Sequence, residues 1–298
     1  MPSVCYYVFM VELSFLQAIV IGLLQGVSEL FPVSSLGHSI LVPALIGGSW
    51  KHLVTESISQ HSEGSSYLAF IVALHVATAI ALIIFYRRTW VRIIRGFFSS
   101  VQKRKISSPD EHLAWLLIIA TIPVGIAGLA FEHSLRTLFA KPLAAAIFLT
   151  MNGLILLGAE QLRRKANKAP TKKISQLSYK EAGFIGSFQV LALLAGISRS
   201  GVAMVGGLLR GLSHEDAANF SFLLATPVIF AAGLLKLPSL LGEAGNGIHG
   251  QIIVGSLVAG VAAYVSIKFL TKYFETRTLT PFAIYCLVFG AICIFRFA

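Results

Sequence analysis

Six apolar runs, near 67–86, 112–131, 142–160, 217–237, 250–271 and 281–297, constrain this chain more than any other feature. Each approaches the ~20 residues a helix needs to cross hydrocarbon, where a backbone must satisfy its own hydrogen bonds. Charged residues make up 12% of the 298 positions and hydrophobic ones 56%, against about 25% charge in soluble domains. These observations specify an all-α polytopic membrane protein with about six full transmembrane helices, in one membrane domain over 1–298.

Two further apolar regions, 14–47 and 181–210, are interrupted by Gly, Pro, Ser and charge. Their topology follows from the basic stretches. The net charge of +11 is concentrated in "YRRTWVRIIRGFFSSVQKRK" and "QLRRKANKAPTKK", read here as loops. Positive loops mark the cytoplasmic side. Nucleic acid is excluded as a partner, because no aromatic stacking pattern accompanies these charges. Both stretches fall inside only if each interrupted region enters and leaves on one face. Region 14–47 then dips in from outside and 181–210 from inside. An offset of 164 residues lays "IGLLQGVSELFPVSSLG" over "IGSFQVLALLAGISRSG", matching Ile21, Gly22, Gln25, Ser34 and Gly37 to Ile185, Gly186, Gln189, Ser198 and Gly201. The expected fold is an inverted-topology repeat, with repeat 1 over about 14–135 and repeat 2 over about 180–298, built on two broken re-entrant helical hairpins.

The breaks carry the chemistry. Gln25 and Glu29 are four apart and share a helix face. Phe31 precedes Pro32 and is pushed out of helical geometry, so the first half-helix ends near there. Ser34, Ser35 and Gly37 then open a second one with His38 in its first turns. In the other copy the break falls at Gly196, and Ser198 and Ser200 flank Arg199. Serines at a helix start cap free amides, and that end of a helix attracts anions. Arg at membrane depth costs roughly 2.5–3.5 kcal/mol on insertion scales, and its guanidinium fork fits phosphate. Glu29 beside an anion makes sense as a general base, or where a divalent cation joins it to phosphate. The implied substrate has a polyanionic head and an apolar body, as a lipid pyrophosphate does. Cleavage would be hydrolysis of the phosphoanhydride by water or a protein hydroxyl.

The stretch Gln25-Gly26-Val27-Ser28-Glu29-Leu30-Phe31-Pro32-Val33-Ser34-Ser35-Leu36-Gly37-His38 resembles the motif (E/Q)GxxEFLPxSSxGH of the undecaprenyl-diphosphatase family, the bacitracin-resistance lipid phosphatases of bacterial inner membranes. Residues 195–203, "AGISRSGVA", are similar to its PGxSRSGxT, with Ala195 for Pro and Ala203 for a diphosphate-binding Thr. "ATIP" and "FSFLLATP" resemble family stretches too, so the likeness covers nearly the whole chain. The resemblance implies hydrolysis of undecaprenyl diphosphate to the monophosphate, recycling the carrier for cell-wall synthesis. It assigns Glu29, His38, Ser35 and Arg199 to catalysis. Gln25, Ser34, Ser198 and Ser200 join Arg199 in substrate binding. A divalent cation, Mg2+ or Ca2+, is expected on Glu29 with Gln25. The expected surroundings are membrane lipid of the inner membrane, a periplasmic opening and pairing as a homodimer.

Blander roles stand beside these. Glu29 could serve as a structural ion pair, Arg199 as a snorkelling side chain, the serines as plain caps, and Gln25 and Gln189 as interhelical hydrogen bonders. His75, alone in "FIVALHVATAI", reads as a packing residue or a helix-to-helix hydrogen bonder. Cys5, Cys286 and Cys293 read as buried hydrophobes. Glu132 and His133 read as solvated, Ser213–Asp216 as the cap of the 217–237 helix, and the amino terminus as lacking a cleaved signal. A lipid-phosphate transporter or flippase is the main alternative, suggested by the repeat itself. The histidine-nucleophile lipid phosphatases are a poorer match, since their Lys/Arg-Pro element is missing.

Overall fold

In hydrocarbon the backbone has no water to bond, and the chain answers with helices. The computed structural model describes residues 13–59, 66–139, 141–165, 172–241 and 247–298, with side chains for all of these except 54–59, 68, 132–139 and 234–241. Cys5 and the extreme amino terminus lie outside the described residues, as do the side chains of Glu132 and His133. The helices are α1 (Phe15–Ser28), α2 (Ser35–Ile46), α3 (Gly48–Ser59), α4 (Ser66–Phe85), α5 (Arg87–Lys103), α6 (Pro109–Phe139), α7 (Pro142–Lys165), α8 (Tyr179–Phe188), α9 (Arg199–Leu209), α10 (His214–Leu241), α11 (His249–Tyr273) and α12 (Thr280–Phe297).

Among the described residues, five helical stretches are long and apolar enough to span a membrane: Pro109–Phe131, Pro142–Lys165, His214–Gly233, His249–Tyr273 and Thr280–Phe297. A sixth is Ala69–Phe85 of α4, which meets α5 at an 87° bend. All six apolar runs are therefore helical. One boundary differs from the sequence reading, and one expected cap is found. The basic stretch taken as a loop is largely helix α5, because its charges recur on one face and its apolar residues on others. Helix α10 starts at His214, with the Ser213 hydroxyl accepting from the Asp216 amide at 2.9 Å.

Both interrupted regions form a half-helix, a break and a second half-helix. Helices α1 and α8 start at Phe15 and Tyr179, and α2 and α9 at Ser35 and Arg199, each pair 164 residues apart. Ser14 and Ser178 cap α1 and α8 with reciprocal capping boxes. Each hairpin returns to the face it came from. Near the start of α1, Gln17 Nε2 reaches Ser49 Oγ, just beyond α2, at 3.4 Å. Near the start of α8, Lys172 pairs with Glu181, and its amide donates to Gly211 O, just beyond α9.

These two faces are opposite ends of the molecule. A Cβ on Gly250, where α11 begins, would touch the Phe15 ring at 3.0 Å. Past the far end of α11, the Leu279 amide meets Glu160, which also pairs with His214. Gly26 packs on Ala259–Ala263, halfway along α11, which places the first break at mid-depth. Bare glycine lets backbones approach this closely. A Cβ on Gly22 would stand 2.5 Å from Gly255 O, and its counterpart Gly186 lies against Ala120 of α6 in the same manner.

Candidate active site

The first half-helix ends at Ser28, before Pro32. The second ends at Phe188, earlier than the expected break at Gly196, and continues as a 3-10 turn over Gln189–Leu193, and the broken backbones then satisfy one another. Ser34 takes an unusual positive φ of 70°. Its hydroxyl accepts from the Gly37 amide, capping α2, and from the Gly196 amide of the other break, both at 3.2 Å. The Ser198 and Ser200 hydroxyls donate to Phe31 O at 3.4 and 3.2 Å and lie 3.0 Å from each other. Ser198 also caps α9 through the Gly201 amide. Asn152 of α7, fully buried, donates from Nδ2 to Pro32 O at 2.9 Å and accepts from the Ser198 amide at 3.0 Å. Free backbone groups in a buried break are costly, so these bonds lock the hairpins tip to tip.

Locking brings the chemistry together. Glu29 caps α1, and its carboxylate collects four side chains from four segments. Arg199 donates from a terminal guanidinium nitrogen at 2.6 Å, and Ser35 Oγ donates at 2.5 Å. Gln25 Nε2 donates at 3.0 Å, and His75 Nε2 stands 3.3 Å away. Ser35 and Arg199 are the first residues of α2 and α9, so the partial positive ends of both half-helices converge on this point. The cluster is not saturated. The other terminal nitrogen of Arg199 and Oε1 of Gln25 are buried without a hydrogen-bond partner. A guanidinium with one arm on a carboxylate and one arm unused is built to take an anion.

Gln25, Glu29, Ser35 and Arg199 thus share one cluster, while Ser34, Ser198 and Ser200 hold the two breaks together. His38 faces away from the carboxylate. Its Nδ1 bonds Ser34 O at 2.7 Å and its Nε2 bonds the Tyr285 hydroxyl at 2.8 Å, with the ring stacked on Tyr285 and Phe289 of α12. Gln189 is an interhelical hydrogen bonder, donating to Ala120 O. Cys286 and Cys293 are buried and free. Two members of the assembly were missed. His75 does make a helix-to-helix contact, but its partner is the central carboxylate. Asn152 had drawn no notice. The only signal for either was an isolated polar residue in an apolar run.

No group of three or more His, Cys, Asp or Glu side chains able to hold a metal occurs among the described residues. Both Glu29 oxygens are engaged by Arg199, Ser35, Gln25 and His75, so a cation here would share Glu29 with these groups and take most of its donors from substrate phosphates and water. Glu29 offers one carboxylate and Gln25 an unused buried oxygen. Mg2+ is commonly bound by one or two carboxylates plus substrate phosphates and water.

A family model described as bacitracin resistance protein BacA matches residues 18–292. The chain belongs to the BacA family. Within the BacA family it is 58% identical to undecaprenyl-diphosphatase 2 of Frankia alni, covering 96% of this chain and 99% of that one. It is 54% identical to undecaprenyl-diphosphatase of Mycolicibacterium paratuberculosis (94% and 96%) and 44% identical to undecaprenyl-diphosphatase 2 of Burkholderia orbicola (92% and 94%). Ala195 and Ala203, the two departures from the BacA motif noted above, are both buried.

Proposed function

We propose that this protein is a membrane-embedded undecaprenyl-diphosphate phosphatase, which releases inorganic phosphate and returns the monophosphate carrier to cell-wall synthesis. One observation carries the reading. Glu29 touches the Ser35 hydroxyl with one oxygen and Arg199 with the other, and Arg199 keeps a buried nitrogen free. A base, a hydroxyl and an anion receptor thus meet at the tips of two half-helices inside an apolar molecule. Membership of a family whose relatives carry the diphosphatase name supports the same activity.

In this reading the diphosphate enters on the free arm of Arg199 and the amide ends of α2 and α9. The Ser35 hydroxyl attacks the terminal phosphorus and gives its proton to Glu29. The bond from that phosphorus to the bridging oxygen breaks, and the lipid monophosphate leaves. Water then attacks the phosphoserine phosphorus, the bond from phosphorus to Ser35 Oγ breaks, Glu29 returns its proton to that oxygen, and the water's protons leave with inorganic phosphate. A cation on Glu29 and Gln25 would neutralise charge on the phosphates as it accumulates. His38, bonded to Tyr285, sets the wall of α2 against α12. The cationic ends of α7 and α11 share one face with α5, which supports a cytoplasmic assignment for that face and a periplasmic opening for the α1–α2 hairpin in the inner membrane. Pairing as a homodimer belongs to the same reading.

The test is phosphate release from undecaprenyl diphosphate by detergent-solubilised protein, with no gradient present, which a transporter would not perform. Acid quenching during turnover should trap phosphate on Ser35. Turnover without any phosphoprotein would assign the attack to water and leave Ser35 as a ligand.

A further inference from the structure

The proposed chemistry leaves α5 without a task, yet this helix is organised in three sectors. One is packed on the protein: Ile93, Gly96 and Ser100 are buried. Trp115 Nε1 donates to Ser100 Oγ at 2.9 Å and Ser99 Oγ to Glu111 at 2.9 Å, which fixes the rotation of α5 on α6. The second sector is an exposed apolar stripe of Val91, Ile94, Phe98 and Val101, at 46, 51, 65 and 49% exposure. These positions fall on one side of a helix. The third sector, beside that stripe, is cationic. Arg92 and Lys103 have acidic neighbours in Asp110 and Glu111. Arg88 and Arg95, with Arg104 and Lys105 just past the helix end, have no acidic partner among the described residues.

A helix turned 87° from the spanning α4, with an apolar stripe next to a cationic one, has the form of a helix lying in the plane of a membrane surface. We infer that α5 lies in the headgroup layer and that Arg88, Arg95, Arg104 and Lys105 form a docking edge for anionic phospholipid headgroups. The apolar stripe enters the acyl boundary, and the unpaired cations meet headgroup phosphates at the depth where such charge is attracted. Charge complementarity selects anionic lipid over zwitterionic. The rigid seat on α6 means the edge is already formed before lipid arrives. This inference does not depend on the reaction proposed above.

The experiment uses the full chain in bilayer nanodiscs with nitroxide-tailed phosphatidylglycerol or phosphatidylcholine. The wild type should hold phosphatidylglycerol several-fold more strongly in its immobilised lipid shell, and added salt should reduce the preference. The quadruple variant R88Q/R95Q/R104Q/K105Q should lose it while keeping phosphate release, which reports that it is folded. No preference in the wild type, or the same preference in the variant, overturns the inference. Labels at Phe98→Cys and Arg95→Cys give a second reading. The first should be reached by oxygen and shielded from an aqueous nickel chelate, and the second the reverse. Equal access of the chelate to both would show that α5 is not seated in the surface.

Discussion

Glu29 stands at the centre of the site because its four neighbours arrive from α1, α2, α4 and α9. Replacing it with Gln keeps the shape and removes the proton acceptor. Phosphate release should fall by roughly 10²–10⁴, the range that general-base catalysis contributes, while membrane insertion is unchanged. Steady-state rates on purified variants check this, and a rate within a few-fold of wild type would remove Glu29 from catalysis. Asn152 makes a different prediction, since it touches no reacting group. Asn152→Leu leaves the Ser198 amide without a partner, at about 1–3 kcal/mol for a buried orphan, and leaves Pro32 O only the long contact from Cys286 Sγ at 3.9 Å. The two breaks should loosen, so that Arg199 no longer meets Glu29 reliably. Turnover should fall at least about tenfold, together with the unfolding temperature. Wild-type turnover in a protein of lowered stability would make Asn152 purely structural.

At the scale of elements, the breaks are where sequence and structure agree best, and the reason is local. Whereas the passage of α8 into a 3-10 segment over Gln189–Leu193 had no such local signal, Pro32 and Gly196, the latter at φ 118°, mark turns by their own backbone chemistry. The six apolar runs were legible for the same reason. The identity of the fourth partner of Glu29 was not, because a lone His in "VALHVAT" says nothing about which carboxylate it will meet. Asn152 was hidden likewise, its partners Pro32 O, the Ser198 amide and Cys286 Sγ lying 120, 46 and 134 residues away in the chain. Helix α5 was misread because its charges outweigh its apolar stripe in any running average, although its periodicity was present. The break itself supplies a test. Gly196 has φ 118°, and a Cβ there would press on Ala145 O of α7. Gly196→Ala should therefore lose at least the ~1–3 kcal/mol of a strained backbone. Gly158 of α7 has open space around its Cβ position, and Gly158→Ala should be neutral or gain up to about 1 kcal/mol. Thermal unfolding of both in one detergent makes the comparison, and an equal response would mean the break is not rigid.

Across the whole molecule, two opposite hairpins can meet only if the spanning helices hold a fixed register, and one polar knot on the basic face sets it. Glu160 near the end of α7 accepts from His214 at 2.6 Å and from the Leu279 amide at 2.9 Å. Arg163 lies 3.0 Å from the other nitrogen of His214. The bond pattern assigns the imidazole proton to Nε2, with Arg163 donating to Nδ1. This knot ties α7 to the start of α10 and to the turn before α12, far from Glu29. Glu160→Leu strands a cation, an imidazole and a backbone amide together, and removing one partner of a buried pair costs about 3–5 kcal/mol. The exposed pair Arg92–Asp110, with side chains 60 and 40% exposed, is a control worth about 0–1 kcal/mol. Thermal unfolding should therefore separate Glu160→Leu from Asp110→Asn by several degrees. The folded fraction of Glu160→Leu should keep its KM at low temperature, because the knot sets where the helices stand and contributes nothing to the anion site. A rise in KM without loss of stability would instead extend the substrate's contacts to the basic face.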